Sequence, residues 1–125
     1  MMMVFFVLAT GASLGAYGRF MLAKLFNHHA SFLLWGTLAA NLIGAYCIGL
    51  LYAYFFAHQT AHDHWKILLI TGFLGSFTTL SAFSLEVVLA LQAGHYLVAM
   101  SLVLLHVGGA IVLTTLGLWT YQHLL

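Results

Sequence analysis

The residues best suited to chemistry in this chain sit in one uncharged stretch, GFLGSFTTLSAFS (72–84). Seven of its thirteen residues are Gly, Ser or Thr. Gly72 and Gly75 tolerate non-helical dihedrals. The hydroxyls of Ser76, Thr78 and Thr79 can hydrogen-bond backbone groups that a broken helix releases. Released carbonyls are oxygen donors for a small hard cation, a use that half-helix ends have in transport proteins. Two readings stand on composition: a helix broken at membrane depth, or a continuous helix with a small-residue packing face. Phe77, Leu80 and Phe83 are three apart, so they share roughly one face of a helix. Such a stripe is normally core, but ring edges carry positive charge and can meet an anion without offering it a full charge.

Other polar residues lie inside apolar runs, where they are expensive and become functional candidates. Asn41 has Thr37 one turn before it. It reads either as glue between helices or as part of a polar pathway. Arg19 can snorkel to an interface or attract anions at a pore mouth. Glu86 is the only acidic residue within an apolar run, and it is expected to face protein or water rather than lipid. Of eight His residues, only His106 is well inside a run. A haem held between helices needs buried axial ligands on facing helices, and one His does not supply them. His58, His62, Asp63 and His64 form a loop cluster whose spacing is weak evidence for a metal.

The elements that must position these residues follow from hydropathy. The chain has 125 residues, of which 64% are hydrophobic and 4% charged, with no Pro. Soluble globules carry about 25% charged residues, so this composition specifies an integral membrane protein. Lys and Arg are too few for a nucleic-acid footprint, and the single Cys47 excludes a disulfide within the chain. A helix crosses the hydrocarbon core in roughly 20 residues. Four segments meet that length, at about 3–24, 32–56, 66–93 and 96–121. The first lacks the basic start of a secretory signal and stays apolar to Leu22, so it reads as a span. The breaks are short, at 27–31, 58–64 and 92–95. The expected fold is therefore all-α, a single four-helix membrane domain over residues 1–125.

Arg19 and Lys24 flank one side of the membrane, while Lys66 and the amino terminus flank the other. This hardly selects an orientation, so the chain is expected to insert both ways and to permit an antiparallel dimer. Small residues recur four apart in Gly11-xxx-Gly15, Gly36-xxx-Ala40-xxx-Gly44 and Ala45-xxx-Gly49. This spacing lets membrane helices approach closely, and so much of it suggests an oligomer.

Four elements carry a resemblance: GASLGAYGRF (11–20), WGTLAANLIGAYCIG (35–49), GFLGSFTTLSAFSLEVV (72–88) and GGAIVLTTLGLW (108–119). Through them the chain resembles the small bacterial fluoride channels, the Fluc or CrcB family, along essentially its whole length. The resemblance implies a multi-pass protein of the bacterial inner membrane, a channel and not an enzyme. It implies passive export of fluoride through a dual-topology antiparallel homodimer with a broken third helix. It places a structural, untransported Na+ on the backbone carbonyls of Gly75 and Thr78. It assigns the anion path to Asn41, Thr37 and Phe83, with Ser81 and Thr79 beside it, and the entrance to Arg19. The chain departs from the common TTFSTFS pattern by reading TTLSAFS, so Leu80 replaces a Phe and Ala82 a Thr. The main rival is a four-helix small multidrug exporter, which wants a carboxylate in the first helix; none is present there.

Overall fold

The computed structural model describes residues 1–27, 33–58 and 63–125. His28, His29, Phe32 and His62, which belong to the expected loops, the start of the second span and the loop cluster, lie outside the described residues. The described residues form four helices long and apolar enough to cross a membrane. Helix α1 is Met2–Phe26 and α2 is Trp35–Ala57. The third span comes in two pieces. Its first half, α3, starts at Asp63–Lys66, widens into a π-helix over Ile67–Leu74 and ends in the turn Gly75–Phe77. Its second half, α4, is Leu80–Gln92. The fourth span, α5, covers Tyr96–Leu124 and is π-helical over Leu104–Gly108.

The connection from α4 to α5 is a tight cap. Gly94 has φ +75°, its N–H donates to Leu91 O, and His95 N–H donates to Ala90 O at 2.9 Å. This 6→1 and 5→2 pair closes a helix end around a left-handed residue, which glycine adopts without a Cβ penalty. Ala90, Ala99 and Leu102 pack together just inside this turn, with Leu33, Phe83, Val87 and Val98 against them.

Small residues set the helix pairing. A Cβ on Gly15 would overlap the Phe73 carbonyl and the Ser76 hydroxyl, and one on Gly11 would overlap the Leu68 carbonyl. α1 and α3 therefore touch backbone to backbone. α2 and α5 do the same, with Gly49 against the Thr114 carbonyl and Gly117 against the Tyr46 carbonyl. The Thr114 hydroxyl adds a hydrogen bond to Ala45 O at 2.9 Å. Close approach and Cα-level contact are what hold helices together where lipid removes the hydrophobic drive.

The outer surface is apolar and open, with Phe20, Ile43, Leu80, Leu97 and Ile111 all more than two-fifths exposed. The stripe expected from Phe77, Leu80 and Phe83 is not one face. Phe77 closes α3, is buried between Gly18 of α1 and Gly44 of α2, and stacks on Phe73 at 5.4 Å. Leu80 and Phe83 belong to α4. The three-residue period assumed an uninterrupted helix, and the chain is extended between these residues.

Candidate functional site: a clamped break beside a cavity

Thr78 and Thr79 carry the break. Their φ, ψ values are −82°, 159° and −150°, 116°, both extended. An extended peptide at membrane depth must find partners for its N–H and C=O groups. Thr78 N–H still reaches back to Leu74 O at 3.1 Å, and the Thr78 hydroxyl donates to the same carbonyl at 2.9 Å. Thr79 turns to α2 instead. Its N–H donates to Asn41 Oδ1 at 2.7 Å, and its carbonyl accepts from Asn41 Nδ2 at 3.0 Å. One side-chain amide thus plays the part of a neighbouring strand. The Thr79 hydroxyl then accepts from Ala82 N–H at 3.2 Å and caps α4, and it lies 3.1 Å from Ser81 Oγ.

α1 holds the other side of the break. Arg19 Nε donates to Ser76 O at 3.1 Å, placing a cation at the carbonyl end of α3, where the helix dipole favours it. The Ser76 hydroxyl donates toward Ala12 O at 2.7 Å, with Gly72 O also in reach at 2.9 Å. Among the described residues, no hydrogen bond described at the break ends on the Gly75 or Thr78 carbonyl.

A cavity of about 540 Å³ opens beside the break. Asn41, Gly75, Thr78, Thr79, Leu80, Phe83 and His106 all border it. Its walls are mainly apolar, the usual setting for a few placed polar groups. The π-helical stretch of α5 carries His106 into this wall; such wide turns recur at functional sites. His106 is 4% exposed, with its ring stacked on Phe83 at 4.6 Å. Its Nδ1 lies 3.0 Å from Asn41 Nδ2, and its Nε2 is buried with no partner among the described residues.

Five residues to which the sequence analysis assigns an ion-site role therefore meet at one place: Asn41, Gly75, Thr78, Thr79 and Phe83. Ser81 joins them through Thr79. Thr37 does not border the cavity. It is buried, close to the Glu86 side chain. Glu86 is 4% exposed and accepts from Leu34 N–H at 3.2 Å, so this carboxylate sits at the amino end of α2. Asn27 caps the same end by accepting from Gly36 N–H at 2.7 Å. His106 is the site residue that the sequence did not assign. Its signal was its isolation, as the only His deep in a span. In the loop cluster, His58 Nδ1 is within 3.0 Å of Tyr54 O and 3.2 Å of Tyr121 Oη.

Comparison with known proteins bears on this arrangement. A family model described as "CrcB-like protein, Camphor Resistance (CrcB)" matches residues 6–118. The chain belongs to the CrcB family. A protein of Cupriavidus taiwanensis called fluoride-specific ion channel FluC is 48% identical over 120 residues, which cover 96% of this chain and 95% of that protein. A protein of Ralstonia nicotianae with the same name is 45% identical over 122 residues, covering 98% and 97%. A third, from Polynucleobacter asymbioticus, is 46% identical over 112 residues. With four candidate spans and these relatives, this CrcB-family chain is a multi-pass bacterial membrane protein.

Proposed function

We propose that this chain forms a fluoride-selective anion channel that exports cytoplasmic fluoride passively across the bacterial inner membrane. Near-full-length similarity to proteins named fluoride-specific ion channels supports the ion. The observation that carries the mechanism is the break, clamped by Asn41 beside a cavity that His106 also borders. A small anion leaving water needs replacement donors, and channels supply them with fixed groups along a narrow path. Here those groups are neutral: the imidazole of His106, the Ser81 and Thr79 hydroxyls and the Phe83 ring. The uncharged set stabilises an anion without trapping it. Arg19, tied to the Ser76 carbonyl, supplies positive charge near the break at the entrance side. Thr37 acts next to Glu86 at the start of α2. Nothing in this arrangement performs catalysis; the function is conduction.

The working unit is an antiparallel homodimer of dual topology, embedded in lipid. Weak charge bias and the broad apolar face support it. A structural Na+ fits the donor set at the break. Gly75 and Thr78 border the same open cavity, their carbonyls are hard oxygen ligands, and no hydrogen bond described at the break ends on them. Two carbonyls from each copy would hold the ion, whose contribution is to neutralise their dipoles where the copies meet. A proton-coupled multidrug exporter is disfavoured, since α1 contains neither Asp nor Glu. The test is reconstitution into liposomes loaded with fluoride and chloride, read by ion-selective electrodes. Rapid fluoride release with chloride retained is expected. Release no faster than from empty liposomes, with sodium present, would sink the proposal.

A further inference from the structure

We infer that Asn41 is a positioning residue that sets the tautomer of His106, so that the imidazole turns an N–H rather than a lone pair toward the anion path. The inference deepens the fluoride-channel reading and rests on it for the identity of the occupant. The tautomer itself follows from a chain of donors and acceptors. A peptide N–H can only donate, so the atom of Asn41 that lies 2.7 Å from Thr79 N must be the oxygen. That places Nδ2 against the Thr79 carbonyl at 3.0 Å and against His106 Nδ1 at 3.0 Å. An amide nitrogen has two hydrogens and no acceptor capacity. One hydrogen goes to Thr79 O, and the other goes to His106 Nδ1. Nδ1 is then an acceptor, and the proton of the neutral ring is on Nε2.

The opposite tautomer would set two N–H groups against each other at Asn41 and leave an Nε2 lone pair buried. A lone pair in that position repels an anion, whereas an N–H binds it. Nε2 has no partner among the described residues, and its residue is 4% exposed. A buried donor without a partner is costly and is explained if the missing partner is the transported ion. Phe83, stacked at 4.6 Å, holds the ring plane. The extended backbone of the third span thereby dictates, through one amide, which face of a histidine on the fourth span can bind an anion.

The experiment is nitrogen-15 NMR of the full-length protein, labelled at histidine and reconstituted in lipid, with His106 assigned by difference from His106→Gln. Nδ1 is expected at the position of an unprotonated imidazole nitrogen and Nε2 at that of a protonated one. Asn41→Asp, which cannot donate to Nδ1, is expected to move a proton onto Nδ1. Sodium fluoride, and not sodium chloride, is expected to shift the Nε2–H signal. Nδ1 protonated in the wild type overturns the inference whether or not Asn41→Asp folds. An unchanged tautomer in a folded Asn41→Asp protein also overturns it. Flux separates the outcomes further. His106→Leu is expected to fall about tenfold, the scale of one hydrogen bond to a charged group, and His106→Gln, which retains an N–H donor, is expected to recover part of that loss. A wild type that conducts fluoride, but whose Nε2–H ignores it and whose His106→Leu variant conducts equally, overturns this inference and leaves the channel reading standing. A wild type with the assigned tautomer and no fluoride flux overturns the channel reading instead.

Discussion

Replacing Asn41 by Ala removes three hydrogen bonds at once: from Thr79 N–H at 2.7 Å, to Thr79 O at 3.0 Å and to His106 Nδ1 at 3.0 Å. Two scales compete for the cost. Polar contacts between membrane helices average only about 0.6 kcal/mol, because the unfolded chain in the bilayer finds other partners. A buried group left with no partner costs about 1–3 kcal/mol. The second scale governs here. Thr79 is 8% exposed, and its extended dihedrals keep its peptide groups out of either helical ladder. Two orphaned peptide groups give about 2–6 kcal/mol, and water entering from the adjoining cavity brings the expectation to the lower end, about 2–3 kcal/mol. The assay is unfolding in mixed micelles, titrated with a denaturing detergent and followed by the fluorescence of the three Trp residues. Fluoride efflux from liposomes is measured in parallel and is expected to fall with stability. A shift below about 0.5 kcal/mol, with efflux unchanged, would refute the clamp, since a position with no special contact behaves that way.

Three further outcomes are expected. Gly15→Ala forces apart α1 and α3 at the Phe73 carbonyl and should destabilise by about 1–3 kcal/mol, whereas Gly108→Ala, with nothing within 4 Å of the new methyl, should be neutral or stabilising; equal losses in the same unfolding assay would count against backbone contact as the reason for glycine. Arg19→Met removes the donor to Ser76 O and should lower both stability and fluoride efflux, with Arg19→Lys recovering part of each; efflux equal to wild type in Arg19→Met would remove Arg19 from the entrance. Leu80→Phe adds a ring edge where the side chain is 75% exposed beside the cavity, and it should raise efflux; an unchanged or lower rate counts against the ring-edge argument.

Hydropathy alone delimits the four spans to within a few residues, because each is a long apolar run bounded by His, Asn or Gln. The glycine pairs were legible too: Gly11 and Gly15 both prove to be contact points, since spacing by four puts residues on one helical face. Composition brought the break only to a choice between two readings, and the dihedrals of Thr78 and Thr79 decide it. What the sequence concealed was partnership. Asn41 and Thr79 are 38 residues apart, and nothing in one chain's sequence says that an amide and a peptide will meet. For the same reason nothing in the sequence says that Thr37, one turn from Asn41 along α2, is buried close to Glu86. The π-helical turn that brings His106 to the cavity leaves no mark on hydropathy, because widening a helix rotates side chains without changing their polarity.

The clamp also bears on how the protein is made. α2 precedes the third span in the chain, so during synthesis Asn41 reaches the bilayer before Thr79 does. A lone amide in hydrocarbon is unfavourable, and so is an unpaired extended peptide. Each waits for the other, and neither is satisfied by lipid. Their meeting closes α2 onto the junction between α3 and α4, giving the nascent bundle a late, sequence-specific latch. Greasy helices alone slide past one another with little preference for depth or rotation. A matched pair of polar defects, inserted at different times, selects a single register for the bundle as it assembles.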